Sequence, residues 1–188
     1  FGSGSLNPLV EDFDGPWVGS PAHPIGWQVY DNDSDGYTWT QSNSYIPEVN
    51  GYGAHGMGNQ DDWLITPVIT LSGDHNLKWS DVVESSSYNN TYDIYLNPNG
   101  VDWSYTDDLV HLGNYNCINT DLTQHSINLS EYTGQSVSIG FHQTYSADVW
   151  YGFGIDDVSV EIIPETPAVV LGQQEIIWGP TYLGSSQE

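Results

Sequence analysis

Leu77-Lys78-Trp79-Ser80-Asp81-Val82-Val83 and Val137-Ser138-Ile139-Gly140-Phe141-His142 set apolar against polar residues with a period of two. That is the repeat of a strand with one face in a core and the other in water. Tyr92-Asp93-Ile94-Tyr95-Leu96 and Gln124-His125-Ser126-Ile127-Asn128-Leu129 alternate or are rich in β-formers. Gly, Asn, Asp, Ser and Pro separate these runs at the intervals of sandwich turns. No window carries a helical stripe, and 20 Gly with 10 Pro would interrupt one. The reading is all-β, an antiparallel jelly-roll β-sandwich with two sheets face to face. Strand candidates near Leu9 to Phe13 and Ile155 to Ile162 lie at opposite ends of the main domain, and jelly rolls commonly bring such ends into one sheet.

Composition narrows the class. One Lys+Arg stands against 25 Asp+Glu in 188 residues, a formal charge of -24. Nothing here neutralises phosphates, which argues against nucleic acid and anionic lipid as partners. Such a charge repels itself and opposes compaction unless bound cations or high salt relieve it. The chain is nonetheless 38% hydrophobic with eight Trp and 13 Tyr, so it is read as a folded acidic domain and not a disordered tail. The single Cys117 excludes an internal disulfide framework and a Cys-based zinc cluster.

Asp31, Asp33 and Asp35, spaced two apart and closed by Gly36, put three carboxylates where they can point at one cation. Oxygen-only ligands suit a hard divalent ion, and Ca2+ accepts many oxygens in irregular geometry. An EF-hand loop begins in the same way but needs a bidentate Glu at its twelfth position, and the twelfth residue from Asp31 is Ser42. The flanking Gly26 to Tyr30 and Tyr37 to Thr40 look like strand or aromatic loop, not helix. Two readings stay open on spacing alone: a calcium-binding β-loop, or a polar turn of the kind Asp, Asn and Ser favour.

No stretch reaches the apolar length of a membrane-spanning helix, and Phe1-Gly2-Ser3-Gly4-Ser5 is not the basic-plus-apolar start of a signal peptide. Residues 1–8 read as a linker or tag remnant of a fragment cut from a larger protein. Calcium use and the aromatic-rich, Lys-poor composition lead us to expect secretion or display at the cell surface.

Phe13-Asp14, Gly26-Trp27, the Asp31 to Gly36 loop with Trp39, Asp61-Asp62-Trp63-Leu64-Ile65-Thr66-Pro67-Val68-Ile69, Ile127 to Gln135 and Gly154-Ile155-Asp156-Asp157-Val158 follow one another in this order. The set resembles cleaved adhesin domains, also called choice-of-anchor J domains. These are similar to the haemagglutinin-adhesin repeats of the gingipains and, more distantly, to MAM domains. The resemblance covers residues 9–163 and implies a calcium-bearing jelly roll on secreted, multidomain bacterial surface proteins and proteases. It implies no particular ligand, and this chain lacks the basic residues that many such repeats carry.

Asp156 and Asp157, if in a strand, point to opposite faces, so only one can face an ion at the sheet edge. If the terminal strands pair, Asp12 or Asp14 could complete an oxygen cage with Asp156 or Asp157 and the ion would staple first strand to last. The sequence alone favours a solvated strand end; the resemblance favours the ion. Asn59 and Asp61 or Asp62, just before the Trp63 strand, are candidate further ligands.

Trp and Tyr suit flat sugar faces because each offers an apolar plane with a polar rim. Tyr145, Trp150, Tyr151 and Phe153 share one Gly-containing loop, and Tyr145, Trp150 and Tyr151 are the candidate ligand-binding residues. Tyr37, Trp39, Tyr45 and Tyr52 are similarly grouped; for both groups binding and packing remain open, whereas Trp27, Trp63, Trp79 and Phe141 are expected in the core. The six His lack zinc-ligand spacing, there is no Gly-x-Ser-x-Gly elbow or phosphate loop, and acid pairs decide nothing in a chain this acidic. We expect no enzyme.

After Pro164-Glu165-Thr166-Pro167 the character changes. Residues 164–188, with Ala168 to Leu171 and Glu175 to Ser186, resemble a linker and the opening strands of an immunoglobulin-like domain of the abnormal-spindle/Hydin type. The functional expectation is a calcium-stabilised, non-catalytic adhesion or binding module for glycan or surface protein, working beside neighbouring domains of the same polypeptide. The alternative is a spacer domain of a secreted hydrolase with no ligand of its own.

Overall fold

The structure, a computed structural model, describes residues 8–42, 53–56, 61–87, 90–98, 100, 103, 108–146 and 152–164, with backbone alone at 42, 53–56, 145 and 146. Among the described residues twelve strands run in the order β1 (Leu9–Glu11), β2 (Gln28–Asp31), β3 (Thr40–Ser42), β4 (Gly53–Gly56), β5 (Asp62–Ile65), β6 (Ile69–Thr70), β7 (His75–Val83), β8 (Asn90–Asn97), β9 (Val110–Cys117), β10 (Thr123–Asn128), β11 (Ser136–Ser146) and β12 (Phe153–Ile162). They form two antiparallel sheets. The first runs β10-β7-β12-β4-β3, with β1 also pairing β12, and the second runs β2-β5-β11-β8-β9, with β6 also pairing β11. This is the β-sandwich expected from the alternating runs.

The alternation does what the period requires. Along β8 the inward Asn90, Tyr92, Ile94 and Leu96 are buried while Thr91, Asp93 and Tyr95 are only half-buried. Leu64, Ile94, Phe141 and Val137 from the second sheet meet Leu77, Trp79, Ile155 and Val160 from the first. Each such side chain contributes about 1.5–3 kcal/mol by leaving water. Edge-on aromatic contacts, Phe13 to Trp27 at 5.3 Å and Trp39 to Phe153 at 5.2 Å between ring centres, close the ends. Trp27, Trp79 and Phe141 are core residues as expected; Trp63 is not, because it lies on the outward side of β5.

A polar network is buried with this core. Trp79 Nε1 donates to Tyr92 Oη at 2.8 Å, and Tyr92 Oη donates to Asp81 Oδ2 at 2.7 Å. His125 Nε2 lies 2.9 Å from Asp81 Oδ1. Burial, and then the Asp81 charge, pushes both the Tyr92 hydroxyl and the Cys117 thiol up. Cys117 is therefore an inert, buried thiol.

The terminal strands pair as the sequence suggested, with Leu9 opposite Val160 and Glu11 opposite Val158. At that point β12 carries a bulge between Asp156 and Ser159, where Asp157 takes a φ of 50°. Bulges of this kind re-aim side chains at sheet edges.

Candidate metal centre and binding face

Strand β2 runs out of the second sheet at Asp31, and the next five residues coil into a loop held by its own carboxylates. Asp31 Oδ1 and Asp33 Oδ1 each accept from the Asp35 amide at 3.2 Å, Asp31 Oδ2 accepts from the Gly36 amide at 3.0 Å, and Asp35 Oδ1 accepts from the Tyr37 amide at 2.7 Å. Gly36 adopts a φ of 87°, which glycine reaches without strain. The loop folds back over β5. Asp62, opposite Asp31 in the β2–β5 ladder, lies on the buried side of its strand with 0% exposure.

Ligand oxygens of Asp31, Asp33 and Asp62 all lie within 4.8 Å of one another. Both carboxylate oxygens of Asp62 are buried without a hydrogen-bond partner, which is rare for so costly a group. Burial, and then the charges of Asp33, Asp31, Asp35 and Asp61, pushes the Asp62 carboxyl up to about 8. Gln143 faces Asp62 across the β11–β5 pair and is also fully buried, with neither amide atom partnered. The one Lys of the chain, Lys78, is paired with Glu161 and there is no Arg, so no fixed side-chain cation serves this row of oxygens, whose chemistry matches a hard divalent ion.

A second acidic group gathers where β1 meets the bulge of β12. Asp156 is 8% exposed, its Oδ1 accepts from the Asp157 amide at 2.8 Å, and its carboxyl is pushed up to about 7 by burial and then by Asp157, Asp14 and Asp12. Asp157, within the bulge, is exposed. Asp12 Oδ1 accepts from the Asp14 amide at 3.2 Å, and Glu11 Oε1 accepts from the Phe13 amide at 2.9 Å.

The outer face of the second sheet carries aromatic side chains. Registers across five strands set Tyr30, Trp63, His142, Asp93 and Asn114 in one row. Two residues along, Gln28, Ile65, Gly140, Tyr95 and His111 form the next. His142 stacks on Trp63 with ring centres 3.9 Å apart, and Trp63 contacts Tyr95 at 5.3 Å and Trp103 at 5.4 Å.

No protein-family model and no curated protein sequence matches this chain. Solved structures do. The K1 cleaved adhesin domain of Lys-gingipain from Porphyromonas gingivalis W83 matches 83% of this chain and 98% of its own at 20% identity, with a TM-score of 0.65. The K3 cleaved adhesin domain of Lys-gingipain from the same organism matches 82% and 99% at 19% identity and a TM-score of 0.64. The chain has the cleaved adhesin fold. The CBM22-1 xylan-binding domain of Paenibacillus barcinonensis Xyn10C is built alike, over 85% of this chain and 96% of that one, at 8% identity and a TM-score of 0.57.

On the cleaved adhesin fold the candidate ligands separate into groups. Asp31 and Asp33 come together with Asp62, while Asp35 is turned to the Tyr37 amide. Of the pair Asp61 and Asp62, Asp61 has its oxygens taken up by Asn32 Nδ2 and His142 Nε2, each at 2.7 Å, so Asp62 is the acid that faces the loop. Asp12, Asp14, Asp156 and Asp157 share one neighbourhood, but the Asp31, Asp33 and Asp62 group is the set that converges within 4.8 Å among the described residues. Asn59, Trp150 and Tyr151 lie outside the described residues, as do Tyr45, Tyr52, residues 1–7 and 165–188, and Tyr145 is described by its backbone alone. Trp39 is fully buried against Phe153 and belongs to packing, whereas Tyr37 is 44% exposed. The sequence reading did not single out Gln143 or the outer aromatic rows; both emerge only from strand register.

Proposed function

We propose that this chain is a calcium-stabilised, non-catalytic binding module of a secreted or cell-surface protein, with carbohydrate as its ligand class. The observation that carries the calcium part is Asp62, a fully buried carboxylate with both oxygens unpartnered, facing Asp31 and Asp33. Asp31, Asp33 and Asp62 would hold the ion, with the Gln143 amide a neutral oxygen beside them. Bound calcium, with its two positive charges, offsets two of the three carboxylate charges and fastens the loop after β2 to β5. In a chain of charge -24 that is a stabilising role and not a catalytic one.

Carbohydrate is favoured by the fold shared with a xylan-binding domain, together with aromatics left on an outer sheet face. The test has two arms. Metal-stripped protein titrated with CaCl2 in a calorimeter should bind calcium stoichiometrically, and Asp62→Ala should lose that binding; an unaltered isotherm in the variant removes the site. A glycan array probed with calcium-loaded protein should show carbohydrate binding, and an array without signal removes the carbohydrate reading while leaving the calcium site standing.

A further inference from the structure

An antiparallel sheet facing water normally presents polar residues there. The second sheet departs from this. Its outer face carries Tyr30, Trp63, Tyr95 and His142 on four adjacent strands, with Trp103 laid over them from the segment after β8. The row from Tyr30 to Asn114 crosses five strands, a line of about 19 Å at the usual strand spacing.

The aromatics are held in place. His142 is pinned between the Trp63 ring and Asp61 Oδ1, 2.7 Å from its Nε2. Trp103 donates from Nε1 to Ser138 Oγ at 2.9 Å and lies on Gly140, where a Cβ would come 2.7 Å from its ring and 3.0 Å from Trp63. The face stays open at its ends, where Tyr30 is 45% exposed and the His111 side chain 49%. One end of the row is polar. Asp93 Oδ1 accepts from His111 Nε2 at 2.8 Å and from Asn114 Nδ2 at 2.9 Å, which fixes three hydrogen-bonding groups beside the Tyr95 ring.

Charge selects among ligands. The only Lys of the chain, Lys78, lies on the first sheet, paired with Glu161, and there is no Arg. The outer face of the second sheet therefore presents carboxylates without a fixed cation, and a glycan bearing uronate or sulfate groups would be repelled there. Rigid aromatic planes beside fixed acceptors and donors suit the apolar face and hydroxyl rim of an uncharged sugar.

We propose that the outer face of β2, β5, β11, β8 and β9 is a binding platform for a neutral polysaccharide. The sugar chain lies across the strands, with rings against Tyr30, Trp63 and Tyr95 and hydroxyls on Asp93, His111 and Asn114. This rests on the carbohydrate reading above and assigns it a site and a ligand charge.

The test uses the full chain with calcium, against a soluble xylan, a β-1,4-galactan and, as anionic probe, polygalacturonate, by affinity electrophoresis and calorimetry. The wild type should bind at least one neutral polymer and not polygalacturonate. Trp63→Ala and Tyr95→Ala should weaken that binding at least tenfold. Because Trp63→Ala also loosens packing, Tyr30→Ala serves as the exposed-edge variant and should weaken binding at least threefold with the melting temperature within about 2 °C of wild type. Asp93→Ala, which removes a half-buried acceptor, should also weaken binding at least threefold. Tyr37→Ala, an exposed tyrosine on the aspartate loop, should leave binding unchanged. Neutral-polymer binding within twofold of wild type in Tyr30→Ala, Tyr95→Ala and Asp93→Ala alike overturns this face as the site, with the carbohydrate reading intact. Equal binding of polygalacturonate overturns the neutral specificity, and absence of binding to either neutral polymer, with no signal on the glycan array, removes the underlying reading.

Discussion

Asp31 and Asp62 stand opposite each other on β2 and β5, both on the inner side of the second sheet, and only Asp31 has partners for its carboxylate. Two like charges at a buried register position oppose pairing of those strands unless a proton or a cation intervenes. Calcium binding to the folded state should therefore raise the melting temperature. At a free concentration a hundred times Kd the gain is about 2.7 kcal/mol, roughly 5–11 °C for a chain of this size. Differential scanning calorimetry with CaCl2 and with excess chelator reads this directly, and coincident curves for verified metal-free and calcium-loaded samples would count against a structural ion.

Asp62→Asn separates the cost of the buried charge from the benefit of the ion. In chelator near pH 7 the variant should be more stable than wild type, because its neutral amide folds without the proton that the Asp62 carboxyl, pushed up to about 8 by burial and then by the neighbouring acids, must take up. In calcium it should be the less stable of the two, having lost its anionic ligand. The crossing of the two orders is the diagnostic, and a variant less stable in both media would mean that the Asp62 carboxylate already has a partner.

Gly140 is the position on which the outer aromatic layer depends. A Cβ there would meet Trp103 Cη2 at 2.7 Å and Trp63 Cε3 at 3.0 Å, closer than such atoms settle. Gly140→Ala should cost about 1–3 kcal/mol in urea unfolding, as overpacking does, and should change tryptophan fluorescence. Trp103→Ala should remove most of the further cost of Gly140→Ala, because the two share one contact. Strictly additive costs would show that the ring does not rest on that glycine.

The four strands read from alternation, β7, β8, β10 and β11, appear where the sequence placed them; exposure alternates along β10 and most of β8, whereas Trp79 to Val83 of β7 and Val137 to Phe141 of β11 are buried on both faces. Strand β9 escaped notice because Gly113, Asn114 and Asn116 break the pattern, and it is held by pairing with β8 more than by its own composition. The aspartate loop was visible as a local spacing. Its buried partner was not singled out, because Asp61 and Asp62 differ only in which side of β5 they occupy, and two adjacent buried residues, Leu64 and Ile65, hide which side is inner. The same ambiguity placed Trp63 in the core. Sheet register resolves both, and register is a property of pairing with strands distant in sequence.

Tyr92 holds the core network by its hydroxyl, which accepts from Trp79 Nε1 and donates to Asp81 Oδ2. Tyr92→Phe keeps the ring stacked on Phe153, centres 5.0 Å apart, but strands one buried donor and one carboxylate oxygen. We expect a loss of about 2–6 kcal/mol by urea denaturation, one to three per unsatisfied group. A loss under about 0.5 kcal/mol would mean that water enters to replace the hydroxyl.

The acid clusters fix the sign of the pH dependence. The Asp62 carboxyl is pushed up to about 8 and that of Asp156 up to about 7, against about 3.9 for an unperturbed Asp. Metal-free folded protein then holds more protons than the unfolded chain between those limits. Stability contributed by the protonated groups is fully present below about pH 4 and is lost as pH rises through 7 and 8, at most about 1.4 kcal/mol per pH unit for each group. Glu161, lowered by its hydrogen bond from Lys78, acts in the opposite sense, but only as pH falls below the ordinary Glu range. In chelator the melting temperature should therefore fall from pH 5.5 to pH 8.5. Growing net repulsion works in the same direction, so Asp62→Asn is the control and should flatten the slope. Calcium competes with protons for the same oxygens, so its affinity should rise over this interval and the stabilisation it gives should be largest at the alkaline end. A wild-type melting temperature that climbs with pH in chelator, or a slope unchanged in Asp62→Asn, would show that Asp62 is already ionised and compensated in the metal-free fold.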